Sequence, residues 1–378
     1  MRNSYLPYGK QIIDDADIKA VVNILKGDYL TTGPSIEQFE KNIAEYVGAN
    51  YAVAFTNGTA ALHGACFAAG IGRGDEVITT PITFVASANC VLYQGGTVVF
   101  ADIDPNTYNI DSKKIEEQIT NKTKAIIPVD FTGQPADLDA INKIAKKYNL
   151  VVIEDAAHAL GATYKGKKVG SISDMTMFSF HPVKHITTGE GGMITTNNKK
   201  FYEKLIQFRS HGITRDSNLL LEDHGPWYYE MQFLGYNYRM TDIQAALGSS
   251  QLLKLDSFIE RRKEIVKKYN KAFLDNASIT IPYQTSESDS SWHLYIIQVP
   301  QNRREVFKAL QARNIGVNVH YIPVHMLPYY QEIGYKNTHL PMAEKLYEHI
   351  ITLPLFPGMT DQDVEDVIQA VQEVLDNE

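Results

Sequence analysis

The sequence predicts an α/β protein with a three-layer α/β/α large domain built on a mainly parallel central sheet, followed by a smaller C-terminal α+β domain. Three observations carry this expectation. Between residues 51 and 196, short apolar runs alternate with helical patterns. The runs are continuous rather than alternating in polarity, as expected of parallel strands covered by helices on both faces. Periodicity then fades over residues 276–291, where Ser, Asp, Glu and Thr accumulate, before a second and smaller strand–helix pattern begins. The 378 residues suffice for about two domains, divided here as residues 1–275, with an N-terminal arm, and residues 276–378.

In chain order, Asp14 or Asp15 can cap a helix with Ile18, Val21, Val22 and Leu25 on one face, ended by Gly27. Ser35 is expected to cap a second helix, with Ile36, Phe39, Ile43 and Val47 at helical spacing and a stop at Gly48. Strands follow at residues 51–55, 77–79, 98–101, 125–129, 151–153, 175–180 and 193–196. Helices are expected from Thr59, from Thr83 and around residues 140–148. Beyond residue 197 come a helix to about Arg209, an aromatic loop through Trp227 and Tyr238, and helices over residues 241–274. The C-terminal part reads as strands at 293–299 and 316–321, with helices at 303–313, 341–349 and 361–375.

The formal charge of −8 argues against a binder of nucleic-acid phosphates, which needs clustered Lys and Arg. Two cysteines, Cys66 and Cys90, and no HExxH or cysteine–histidine cluster give no sign of a disulfide framework or a metal site. The opening residues lack a signal-peptide core, and no apolar run of roughly 18 residues offers a membrane span. A soluble, cytoplasmic small-molecule enzyme is the expectation.

Candidate chemistry gathers at strand ends, where open α/β sheets bind ligands. Residues 177–196 read as a strand, a loop carrying Lys184, a glycine turn and a second strand. A lysine acting as a Schiff-base nucleophile must be deprotonated and rigidly held, which a clamped loop provides. The alternative is an ordinary solvated lysine. Thr56-Asn57-Gly58-Thr59 hands a strand over to a helix whose free N–H groups, with the Thr59 hydroxyl, can hold a phosphate; otherwise it is a turn with Thr59 as N-cap. Ser179 could add a second hydroxyl. Asp155, emerging from an apolar strand, needs a partner such as a protonated ring nitrogen, unless it caps a helix. His158 lies three residues on, beside the ring or in a structural role. Phe84 could stack on a flat cofactor or belong to the core.

Taken in order, the segments NGTAAL, TPITF, EDAAHA, SFHPVKHITTGEGG and GYNYRM resemble the fold-type I, pyridoxal 5'-phosphate-dependent aminotransferases that act on nucleotide-linked keto sugars. The resemblance spans nearly the whole chain. It implies that Lys184 anchors the cofactor and shuttles a proton, and that Asp155 pairs with the pyridine nitrogen. Gly58, Thr59 and Ser179 would hold the phosphate, Phe84 would stack on the ring, and His158 would lie near the ring hydroxyl. Asn237 would reach the phosphate of a neighbouring subunit, giving a homodimer with shared active sites. Tyr8, the loop of Asp28, Tyr29, Leu30 and Thr31, and His320 with Tyr321 would line the nucleotide-sugar pocket. L-Glutamate would be the amino donor.

Within that family, ITTPITFVASAN, FRSHGI and VHYIPVH are most similar to members of the pseudaminic acid pathway, which form UDP-4-amino-4,6-dideoxy-N-acetyl-β-L-altrosamine from UDP-2-acetamido-2,6-dideoxy-β-L-arabino-4-hexulose. GPWYYEM and VHMLPYYQEIGYK look more like sugar aminotransferases of spore-coat polysaccharide synthesis. Two other activities share the scaffold. In some related sugar dehydratases a histidine replaces the anchoring lysine, and His181 and His185 flank Lys184. A non-catalytic nucleotide-sugar binder is the other.

Overall fold

The computed structural model describes residues 2–299 and 302–376. Its centre is a seven-stranded sheet of β1 (Tyr51–Phe55), β2 (Glu76–Thr79), β3 (Thr97–Phe100), β4 (Thr123–Ile127), β5 (Val151–Asp155), β6 (Met175–Ser179) and β7 (Gly192–Thr196), in the spatial order β1-β7-β6-β5-β4-β2-β3. The pairs from β6 through β3 are parallel. β7 alone runs against them, antiparallel to both β1 and β6. The mainly parallel sheet expected from the apolar runs is therefore present, with the lysine loop returning as a hairpin.

Alternate strand residues enter separate apolar cores on the two faces. Phe55, Ile127 and Ile153 pack with Leu62, Cys66, Val91 and Phe208. Ala54 and Phe178 pack with Phe39, Ile43 and Ile259, while Ile126 and Val152 pack with Leu138 and Ile141. The covering helices are α1 (Asp15–Leu25), α2 (Pro34–Val47), α3 (Gly58–Ala68), α4 (Ala86–Tyr93), α5 (Ser112–Glu117), α6 (Leu138–Tyr148), α7 (Lys199–Phe208), α8 (Asp242–Leu252) and α9 (Leu255–Phe273).

A further apolar cluster combines β8 (Tyr295–Gln298), α10 (Arg303–Ala312), β9 (Ile350–Leu353) and α12 (Asp361–Asp376) with Ile265, Tyr269 and Phe273 of α9 and with Leu6. α11 (Pro341–His349) leads into β9, which pairs antiparallel with β8. Among the described residues no helix is long and apolar enough to cross a membrane.

Four local expectations are corrected. Ser35 does not cap α2, whose N-cap is Gly33. The buried carboxylate of Asp242, on α8, accepts instead from Gly33 N at 2.8 Å and Ser35 N at 2.9 Å, a long-range cap that local sequence cannot reveal. The apolar stripe of α1 does not face the core. Asp17 is the buried residue, paired with Ser250 Oγ at 2.7 Å, Gln251 Nε2 at 2.6 Å and Lys254 Nζ at 2.6 Å, while Ile18 and Leu25 are exposed. α4 starts at Ala86 rather than Thr83, because residues 81–83 form a bend. Residues 316–321 contribute only an isolated bridge, Asn318 to Thr352, and form no strand.

Candidate active site

Beyond the carboxyl ends of β1, β2, β5 and β6 lies a cavity of about 820 Å³ whose lining includes Gly58, Thr59, Phe84, Asp155, His158, Ser179 and Lys184, with Tyr8, His320 and Tyr321 opposite. Ten of the sequence-predicted residues are thus brought together. Five are not: Asp28, Tyr29, Leu30, Thr31 and Asn237 are absent from the cavity of their own chain. Leu30 is tied through its carbonyl to Asp242 N at 3.0 Å, and Thr31 bridges Thr241. Asn237 is exposed and bridges Ser210.

Each wall follows from local physics. Asn57, extended at the end of β1, caps α3 by accepting from Ala60 N at 2.8 Å. Thr59 is therefore not the cap, and the N–H groups of Gly58 and Thr59 are left without an intrahelical acceptor. They are the ready-made donors of an anion site. Two glycines keep this turn open. A Cβ at Gly192 would meet Asn57 O at 2.5 Å and Gly58 Cα at 2.8 Å, so the hairpin strand β7 can lie against the turn only as glycine. A Cβ at Gly58 would sit 3.5 Å from Ser179 Oγ, which puts that hydroxyl beside the same N–H groups.

The loop after β6 is closed by Phe180 N to Gly191 O at 2.9 Å and Thr188 N to Phe180 O at 3.0 Å. Within it, Lys184 N donates to His181 O at 2.9 Å, fixing the lysine backbone. The Lys184 side chain is partly buried and has no hydrogen-bond or ion-pair partner among the described residues. Burial lowers its amine from 10.5 to about 8, opposed by the charge of Asp155. A substantial neutral fraction at physiological pH follows. His185 points elsewhere, with Nε2 3.0 Å from Ser291 O.

Asp155 ends β5 and is buried. Burial pushes its carboxyl up, against the lowering effects of the Ser87 hydroxyl, the Ala157 N–H and the Lys184 charge. His158, also buried, is held neutral by burial and by the nearby Lys184. Its Nε2 is 3.2 Å from Tyr321 Oη, and its Nδ1 has no partner among the described residues. Burial raises the Tyr321 phenol, so it stays protonated. His320 is lowered to about 3, chiefly by burial, and its Nδ1 lies 2.8 Å from Thr352 Oγ1. Phe84 stands 58% exposed at the rim, its ring 6.3 Å from that of Tyr321.

Sequence reasoning missed Ser87, Asn57 and Asn318 in this lining. Ser87 carried a weak signal, a hydroxyl one turn beyond Thr83 in an otherwise small and apolar segment. The residues present fit a phosphorylated aromatic aldehyde. Free N–H donors suit the phosphate, an unpaired near-neutral amine suits the carbonyl, and a buried acid and an orphaned imidazole nitrogen suit the ring's polar atoms.

Comparison with known proteins agrees with this chemistry. The chain is 45% identical, over 99% of its length and 98% of the relative's, to the spore coat polysaccharide biosynthesis protein SpsC of Bacillus subtilis. It is 40% identical, over 98% of both chains, to the UDP-4-amino-4,6-dideoxy-N-acetyl-β-L-altrosamine transaminase of Campylobacter jejuni. The solved structure of Helicobacter pylori PseC, an aminotransferase involved in the biosynthesis of pseudaminic acid, superposes with a TM-score of 0.93 at 34% identity, covering 99% of this chain and 100% of that one. Spr1654 of Streptococcus pneumoniae, solved in its PLP form, gives 0.92 at 34% identity over 99% of each chain. The family profile described as DegT/DnrJ/EryC1/StrS aminotransferase matches residues 11–372. A match over nearly the full length, together with a cavity built for that chemistry, means that this chain belongs to the DegT/DnrJ/EryC1/StrS aminotransferase family.

Proposed function

We propose that this pyridoxal phosphate-dependent sugar aminotransferase moves the amino group of L-glutamate onto the keto carbon of a nucleotide-linked sugar, UDP-2-acetamido-2,6-dideoxy-β-L-arabino-4-hexulose. The observation that carries the reading is the near-neutral Lys184 amine in one cavity with the buried acid Asp155 and the free N–H groups of Gly58 and Thr59. The altrosamine transaminase of C. jejuni and PseC support the choice of sugar.

When bound, the cofactor supplies an aldehyde that captures amines and a ring that accepts electrons from the adjacent carbon. In this reading the chain's own residues do the rest. Lys184 would anchor the cofactor through Nζ, and the same amine, when free, would take up the proton of the donor α-carbon as general base and hold it as the general acid of the following step. Asp155 would hold a negative charge towards the ring nitrogen, and His158 would serve the ring hydroxyl. Gly58, Thr59 and Ser179 would hold the phosphate, and Phe84 would cover the ring. Tyr8, His320 and Tyr321 present neutral hydrogen-bonding groups suited to a sugar.

We further propose a homodimer, in which Asn237 and the loop of Asp28, Tyr29, Leu30 and Thr31 serve the cavity of a second copy. Their absence from their own chain's cavity supports this. The enzyme is assigned to the cytoplasm. We also propose residues 1–275 and 276–378 as its large and small units; the cluster of β8, α10, β9 and α12 supports a separate C-terminal core, one that also takes in Leu6 and the α9 residues Ile265, Tyr269 and Phe273. His181 lines the cavity together with Lys184 while His185 turns to Ser291 O, and the Lys184 amine lowered to about 8 favours transamination over the dehydratase reading.

A second reading keeps the chemistry and changes the sugar, because identity to the spore-coat protein is 45% against 40% for the altrosamine transaminase. Incubation with 15N-glutamate and a panel of nucleotide 4-keto and 3-keto sugars tests both. Label in the 4-amino sugar is expected with the UDP-linked 4-hexulose. Product only from another keto sugar would select the second reading, and no product from any would overturn both.

A further inference from the structure

The carboxylate of Asp155 is gripped by one side chain from outside its own strand. Ser87 Oγ donates to Oδ2 at 2.6 Å, while the other oxygen takes the N–H of Ala157 at 3.1 Å. Ser87 sits in the first turn of α4 and is 1% exposed. Its oxygen also lies 2.7 Å from Thr83 Oγ1 and 3.3 Å from Phe84 O. A hydroxyl has one proton, and an ionised carboxylate can only accept. The short contact to Asp155 therefore takes that proton, Thr83 becomes the donor to Ser87 Oγ, and Phe84 O is left with the Ser87 N–H, also at 3.3 Å. The result is a directed chain, Thr83 to Ser87 to Asp155, anchored at the bend that leads into Phe84.

Such a chain does two things. Charge-assisted O–H···O⁻ bonds are among the stronger hydrogen bonds and fix the rotamer of the acceptor. They also favour the ionised form of a carboxyl that burial would otherwise neutralise. We propose that Ser87 is a positioning residue of this aminotransferase, one that orients the Asp155 carboxylate, keeps it charged for the cofactor's ring nitrogen, and ties it to the backbone carrying Phe84. The proposal rests on the reading of Asp155 given above. Ser87 touches no reacting atom and acts only through Asp155.

The test compares wild type, Ser87→Ala, Ser87→Thr, Asp155→Asn and the double variant Ser87→Ala/Asp155→Asn. Each is stripped of cofactor and titrated with pyridoxal phosphate by fluorescence, and the visible absorbance of each loaded form is followed against pH. Ser87→Ala should weaken cofactor binding about tenfold or more, the size of a lost hydrogen bond to a charged group. Without that hydroxyl Asp155 protonates at higher pH, so the spectral change on acidification should move up by about one pH unit. Ser87→Thr should restore both, and in the Asp155→Asn background Ser87→Ala should add nothing.

Wild-type affinity and spectrum in Ser87→Ala would overturn the proposal. So would an equal loss in the Asp155→Asn background, because the serine would then merely serve the start of α4. Should Ser87→Thr fail to fold, the Asp155→Asn comparison decides alone. A wild-type protein that binds no cofactor overturns the reading of Asp155 itself, and the role of Ser87 falls with it.

Discussion

Tyr321 Oη and His158 Nε2 meet at 3.2 Å, and this hydrogen bond joins the wall opposite the sheet to the residues that follow β5. Because His158 Nδ1 has no partner among the described residues, removing the phenol oxygen leaves neither ring nitrogen bonded to them. Tyr321→Phe should therefore cost about 1–2 kcal/mol of stability in the cofactor-free protein, the penalty for an unsatisfied buried group. Urea denaturation checks this. Indistinguishable midpoints would show that the contact contributes nothing.

Lys184 should destabilise the fold at neutral pH. Its amine titrates near 8 in the folded protein and near 10.5 when unfolded, so between those values the unfolded chain binds more protons and stability rises with pH. Below pH 8 the full penalty applies. Cofactor-free Lys184→Met should be more stable than wild type at pH 7 by on the order of 2 kcal/mol, after discounting for partial exposure. The advantage should shrink from pH 8 towards 10.5. Paired denaturation curves at pH 7 and pH 10 measure it, and a gap that does not narrow would contradict the assignment.

Gly192→Ala should damage the anion turn from behind. The added carbon would lie 2.5 Å from Asn57 O, which belongs to backbone and cannot swing aside. β7 or the turn must shift, at a cost of about 1–3 kcal/mol as for other overpacked sites. Cofactor phosphate binding should weaken together with stability. Calorimetric titration of the cofactor-free variant with pyridoxal phosphate would reveal an undisturbed turn if affinity were unchanged.

Much of the architecture was legible because the sheet is buried on both faces. Runs such as Val151 to Ile153 and Ala125 to Ile127 are then apolar without alternation, and Gly58, Asp155, Ser179 and Lys184 lie at or just beyond strand ends. What escaped notice depends on distant partners. Ser35 looked like a cap because Ser commonly is one, yet Asp242 supplies the acceptor from more than 200 positions away. The stripe of Ile18 and Leu25 on α1 promised burial, but α1 is pinned to α8 through Asp17. Residues 316–321 have strand-like composition, yet Asn318 alone makes a bridge, and His320 and Tyr321 turn instead towards the cavity. The loop of Asp28, Tyr29, Leu30 and Thr31, like Asn237, carried no local sign of which face it would present.

The position of β7 bears on how the chain matures on the ribosome. Among the described residues β1 is an edge strand paired with β7, in a register that joins Tyr51 to Thr196 and Phe55 to Gly192. A nascent chain therefore holds its first strand unmatched until residue 196 has left the exit tunnel. The anion turn that follows β1 stays unbacked for as long, since Gly192 is what closes it from behind. Vitamin capture during translation must wait for more than half of the polypeptide, and until then the edge of β1 is open to pairing with other strands.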